Sequence, residues 1–283
     1  GGALLPDNVT QSVLQLLLAT AEGARARAQA IRAQHDAKEL DDDEFEMAQQ
    51  WEEVVVMEVA RCLGAALQSQ ASAMGHLDGV LPKLWAALTP NSDQIQWLTT
   101  VALTYEALKA SPQELCEAYT AQYLPQLQEA CAPGGFFTPM RSLEVRRHAL
   151  LALGVCAGRV AKGFAPQVGP TVNLCGDLLT SPFDEDNDDQ VALRDAAACT
   201  LAVICEHHKA LVNPLEETLD IWLHWLPLRQ STGYPEIEEC YSFMCRAAVA
   251  ADGPLSPAVA QDRFSKVLGV LGELPPDEQE FSE

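Results

Sequence analysis

The chain has 283 residues, 48% of them hydrophobic and 6% aromatic, and it sets 18 Lys and Arg against 40 Asp and Glu for a formal charge of -22. A field of that sign repels nucleic acid and anionic membrane and draws basic ligands. Nine cysteines without a CxxC pair, no secretory signal and no apolar run of about 18 residues argue against a disulfide framework or a membrane helix, and for a soluble intracellular protein.

Gly1-Gly2 opens without Met directly into a helical pattern, as expected of a fragment of something longer. Leu4 to about Gln34 predicts a long helix, with Val13, Leu14, Leu16, Leu17 and Leu18 as its apolar block and an Ala/Arg run from Ala24 to Arg32 facing solvent. Residues 36–46 read as an acidic connection in which Asp41, Asp42, Asp43 and Glu44 form a mobile element. Phe45 to Leu67 predicts the next helix, with Trp51, Val54, Val55, Met57, Val59, Cys62 and Leu63 on its buried side. Helices follow at about 77–88, 93–109 (capped by Ser92), 112–130, 142–160, 165–179, 190–207, 209–226, 235–250 and 256–271, with a frayed tail beyond. The link from Cys131 to Pro139, with Gly134-Gly135 between prolines, is the expected place for a change of superhelix direction.

Pro82, Pro125, Pro170, Pro214 and Pro257 recur 43–45 residues apart, each expected near the start of the second helix of a hairpin. The first helices share a pattern: Val145-Arg146-Arg147-His148-Ala149 corresponds to Leu193-Arg194-Asp195-Ala196-Ala197, and more loosely to Ile95-Gln96-Trp97 and Ile237-Glu238-Glu239. Two helices per repeat at that period predict an all-α fold, a right-handed α-solenoid of HEAT or armadillo type. Each hairpin packs on its neighbours, so residues 1–283 read as a single solenoid despite their length.

Catalytic signatures are missing: there is no GxSxG, P-loop, HExxH or dinucleotide GxGxxG pattern, so neither an enzyme nor a cofactor is expected. His207-His208 reads as a surface turn. The acidic link over 181–190, containing Asp184, Glu185, Asp186, Asp188 and Asp189, reads as an inter-repeat connection. It does not match a calcium loop, because Asp189 and Asp195 stand where Gly and Glu are needed. Glu216, Glu217 and Asp220 precede Trp222 and Trp225 on a second helix, expected on the concave side. There an indole covers the stem of a Lys or Arg while carboxylates meet its charge; core packing remains open for both tryptophans. These residues, with the 184–189 carboxylates, are the candidate basic-ligand contacts.

Ile221-Trp222-Leu223-His224-Trp225-Leu226-Pro227-Leu228 resembles a signature of karyopherin-β nuclear transport receptors of the importin-5 type. Three further stretches fit in the same order: the acidic link before Phe45, Gln96-Trp97 followed by Ser111-Pro112, and Leu143 to Leu150 with Gly154-Val155. The resemblance covers most of the chain and implies C-terminal HEAT repeats of a longer receptor shuttling between cytoplasm and nucleus. It implies basic cargo such as nuclear localisation signals, ribosomal proteins or histones, passage on Phe-Gly nucleoporins, and release by Ran-GTP bound mainly through repeats outside this chain. A HEAT scaffold that organises other proteins without nuclear transport is the alternative.

Overall fold

The computed structural model describes residues 6–69, 74–89, 92–132, 141–229 and 235–274. Its α-helices are α1 (Asp7–Asp36), α2 (Asp42–Ser69), α3 (Met74–Leu77), α4 (Leu81–Ala87), α5 (Gln94–Ala110), α6 (Gln113–Cys131), α7 (Leu143–Arg159), α8 (Ala161–Phe164), α9 (Val168–Thr180), α10 (Asp188–His207), α11 (Leu215–Trp225), α12 (Pro235–Val249) and α13 (Gln261–Glu273). Among the described residues there is no strand, and no helix is long and apolar enough to cross a membrane. The Gly134-Gly135 link, Pro90-Asn91, Ser231 to Gly233 and the tail from residue 275 lie outside the described residues.

Two layers run the length of the solenoid. Helices α2, α5, α7, α10 and α12 pack side by side in that order and form the inner layer; α1, α4, α6, α9, α11 and α13 cover them. Over α6 to α10 the hairpin phase is the reverse of the sequence expectation. Helix α6 packs more extensively on α7 than on α5, and α9 on α10, so there the proline-bearing outer helix comes first and the helix with the Val-Arg pattern second, whereas α11 packs more on α10 than on α12. Helix α11, with Trp222 and Trp225, lies beside α9 and α13 in the covering layer, which corrects the expectation that it lines the concave side. Both patterns recur at the same period, so spacing alone leaves the pairing open.

The shared pattern also acquires a physical meaning. Gln96 on α5 donates from Nε2 to the Ala87 carbonyl at the end of α4, at 3.0 Å. Arg146 on α7 donates from Nε to the Cys131 carbonyl at the end of α6, at 3.1 Å, and Arg194 on α10 reaches the Ser181 and Pro182 carbonyls beyond α9, at 2.9 and 3.2 Å. Each inner helix thus caps the carbonyl end of its own outer partner, where the last turn leaves acceptors unpaired.

The layers also start differently. Four of the five inner helices, α2, α5, α7 and α10, begin with side-chain caps in which Asp41, Asp93, Ser142 and Asn187 accept from the amides of Glu44, Gln96, Val145 and Gln190. The outer helices α4, α6, α9, α11 and α13 have none. Pro112 and Pro214 stand at the caps of α6 and α11, and Pro82 in the first turn of α4. Not every repeating proline marks a helix start, however: Pro125 lies inside α6, and Pro257 precedes α13 in a turn. The helix expected over 77–88 is interrupted by a turn at 78–80. On α2, Trp51 and Val54 are 67% and 43% exposed and Cys62 is exposed, so that helix buries a narrower face than its apolar content indicates.

Candidate functional site

The sequence-derived acidic candidates fall into three places. Asp41, Asp42, Asp43 and Glu44 belong to the start of α2 rather than to a connection. Asp41 accepts from the Glu44 amide at 2.8 Å and donates its own amide to Glu44 at 3.3 Å, a reciprocal capping box, while Asp42 pairs with His35 at 2.9 Å. The run near residue 187 is built alike. The Asp184 side chain accepts from the Asp186 amide at 3.1 Å, the Asp184 amide donates to Gln190, and Asp188 and Asp189 occupy the first turn of α10, where the helix dipole favours anions. In the corrected phase this run joins the two helices of one hairpin.

Glu185, Glu216, Glu217, Asp220 and Trp225 converge on one outer groove of about 1070 Å³ between the end of α9, α11 and α13. The structure thus brings together half of the predicted contacts. It also supplies their counter-charges. Arg263 on α13 binds Asp220 through Nε at 2.9 Å and Nη2 at 3.1 Å, reaches Glu216 at 3.5 Å, and holds the Asp220 carboxyl below the ordinary range. Arg229 approaches Glu185 at 3.5 Å and lies 5.0 Å from the centre of the Trp225 ring. The cationic seat expected on Trp225 is therefore occupied from within the chain. The Trp225 indole N–H donates to buried Asp195 at 2.8 Å, and Trp222 is fully buried against Phe243, with ring centres 5.3 Å apart. Both indoles serve the packing of α11.

A second set of carboxylates lies on the inner layer among cations. That layer encloses a trough of about 540 Å³ whose lining includes Gly154, Gly158 and Thr200, with Lys109, Arg159 and Arg246 lining it alongside Glu206, Glu236 and Glu239. Arg246 is forked across Glu206 at 2.9 Å. Near the amino ends of α7 and α10, Glu53 of α2 is pushed up to about 7 by burial and by the like charges of Glu144 and Asp189. Asp189 is itself raised by partial burial and by Glu144. Toward the other end, Glu106 and Glu239 are raised by burial and by Glu236 against the opposing pull of Lys109. Glu144 is the exception: despite burial it lies below the ordinary range, held by His148 at 3.4 Å and Arg147 at 3.2 Å.

Of the sequence candidates only Asp189 belongs to this inner system. Glu53, Glu106, Glu206, Glu236 and Glu239 were missed. Their signal was present in the interruptions: Glu106 stands alone as an acid in the otherwise apolar and Thr-rich run from Ile95 to Leu108, every residue of which is buried. His208, expected at a surface turn, is buried, with Nε2 2.9 Å from the Ala157 carbonyl.

No protein-family model matches the chain, and no curated protein matches it. Solved structures do. Kap121p bound to Nup53p superposes with a TM-score of 0.56 at 16% identity over 94% of this chain. Kap121p bound to Ste12p gives 0.55 at 14% over 93%, and Kap121p bound to Pho4p 0.54 at 15% over 94%. The chain spans about a quarter of the length of those proteins, 24% in each case. The fold is therefore that of a karyopherin-type HEAT solenoid; the likeness does not separate an importin-5-like receptor from other solenoids of this type.

Proposed function

We propose that the chain is part of a nuclear transport receptor, importin-5-like, which takes basic segments of its cargo against the inner acidic surface. The observation that carries this reading is the raised titration of Glu53, with Asp189, Glu106 and Glu239 raised beside it. These carboxylates resist ionisation first because burial strips their water and second because like charges such as Glu144 and Glu236 stand near, so a further cation beside them is favourable, and a Lys-rich segment provides one. The outer groove, with Asp220 held low by Arg263, has less to gain from such a partner. The fold supports the reading because similar solenoids were solved with Ste12p, Pho4p and Nup53p bound. In this reading the chain is a C-terminal part of the receptor and shuttles through nuclear pores on Phe-Gly nucleoporins, while Ran-GTP acts mainly on repeats outside it.

The test is equilibrium binding of a Lys-rich localisation peptide across a salt series, with an acidic peptide of the same length as control. Saturable binding that weakens with salt yet keeps sequence preference at moderate salt is expected. Absence of binding at low salt removes cargo recognition from these repeats. Failure to bind Phe-Gly peptides and Ran-GTP as well turns the assignment to a HEAT scaffold.

A further inference from the structure

A solenoid hairpin touches the hairpins before and after it, and contacts that skip repeats demand a separate cause. One such contact closes the inner layer. Tyr105 and Lys109 on α5 meet Glu236 in the first turn of α12, although α7 and α10 stand between those helices in the packing order. The Tyr105 hydroxyl donates to Glu236 Oε1, and the Lys109 ammonium reaches the same oxygen at 3.0 Å and the Tyr105 hydroxyl at 2.9 Å. The Lys109 and Glu236 side chains are 19% and 13% exposed, so water screens the pair little.

Lys109 is placed as a ligand's lysine would be. Both it and Glu236 line the trough, with Glu239 one turn further along α12. Glu236 Oε2 is enclosed and has no hydrogen-bond partner, and Glu106 also feels Lys109 and Glu236. Lys109 is thus shared among Glu236, Glu239 and Glu106, the trough's Arg246 is taken by Glu206, and one Glu236 oxygen is still unsatisfied. A buried acceptor without a donor is costly and favours any arrangement that brings more donors to it.

We propose that the Tyr105/Lys109–Glu236 contact is an autoinhibitory strap: Lys109 occupies the trough as an internal basic ligand, and an incoming Lys-rich segment replaces it at Glu236 and Glu239. The inference rests on the inner surface being where basic segments bind. Replacement parts α5 from α12, so occupancy and curvature are linked: a ligand that prefers the parted form shifts the solenoid toward it, and opening the strap beforehand raises affinity by the same coupling.

The experiment pairs Lys109→Gln with Lys83→Gln, which removes the same charge from the exposed outer helix α4. Two quantities are read on the same samples: the radius of gyration by small-angle X-ray scattering, and the affinity for the Lys-rich peptide at fixed salt. The expected result is a larger radius and an affinity higher by about 3- to 10-fold for Lys109→Gln, with Lys83→Gln like the unaltered chain in both. Tyr105→Phe, which keeps the ring and removes the donor, shifts both quantities in the same direction by less. An unchanged radius in Lys109→Gln overturns the strap. A larger radius with unchanged or weaker affinity overturns the autoinhibition. If the unaltered chain and every variant fail to bind the peptide, the transport reading and the autoinhibition fall together, while the radius still decides whether the strap holds the curl.

Discussion

The outer groove and the inner trough contain the same kinds of residue and treat them in opposite ways. Each brings carboxylates together from two segments, Glu206 of α10 with Glu236 and Glu239 of α12 in the trough, and Glu185 ahead of α10 with Glu216, Glu217 and Asp220 of α11 in the groove, and both have arginine and lysine within reach. In the groove, Arg263 forks across Asp220 and lowers its titration; on the inner layer, burial first and like charges second raise Glu239 in the trough and Glu53 and Glu106 elsewhere. The difference teaches that the demand for a further cation follows the burial and like charge around each carboxylate, irrespective of how many charges the surface has.

That contrast is easiest to break at the bond that ties the two layers together. Asp195 on α10 accepts from the Trp225 indole at 2.8 Å and from the Arg229 amide at 3.1 Å, holding the wall of the groove onto the inner layer. Asp195→Ala strands buried donors and is expected to cost about 3 kcal/mol, read as a lower urea midpoint. If the midpoint is unchanged, the groove wall is positioned by packing alone.

Next in size is the peptide affinity itself. Combined Glu53→Gln, Asp189→Asn and Glu239→Gln should weaken Lys-rich peptide binding by roughly 10-fold at low salt, and Glu216→Gln with Glu217→Gln by less than about 2-fold. The opposite ranking would move the ligand to the groove.

The pH dependence sharpens the same point at one residue. Because the folded chain holds a proton on Glu53 up to about 7, above the ordinary 4.5, it binds more protons than the unfolded chain between those values. Its contribution to stability is therefore most favourable below 4.5, declines as pH rises to 7, and is flat above. Glu53→Gln should match the unaltered chain near pH 4.5 and exceed it by roughly 1–2 kcal/mol above pH 7. Equal stability at both pH values would mean that Glu53 is not under like-charge pressure. The smallest effect is expected for Asp220→Asn, about 0.5 kcal/mol of lost stability, since the carboxylate is half exposed and its pairing with Arg263 is screened.

Much of the fold was legible in sequence because helices leave local marks. The prediction of 93–109 meets α5 at Gln94–Ala110, and that of 190–207 lies within α10 at Asp188–His207. The hairpin phase was not legible, since prolines and Val-Arg patterns share one period and only packing shows which helix leans on which. The acidic stretches misled for a related reason. Asp41 to Glu44 and Asp184 to Asp189 look like solvated links by composition, yet Asp41, Glu44, Asn187 and Gln190 are the capping residues that start two helices of the inner layer. Tyr105 and Glu236 lie 131 residues apart, and no local pattern announces that they meet.

The capped corners have a mechanical consequence. Gln96, Arg146 and Arg194 fasten the two arms of three successive hairpins at the bend, and the joints between hairpins are tied as well, Arg159 donating to the Lys109 and Ser111 carbonyls at 3.0 and 2.6 Å and Thr200 to the Leu150 carbonyl at 3.0 Å. A pull on the two ends of such a chain is therefore shared between bends and joints, so extension accumulates as small rotations spread over every unit, and the molecule behaves as a spring before it behaves as an unravelling thread.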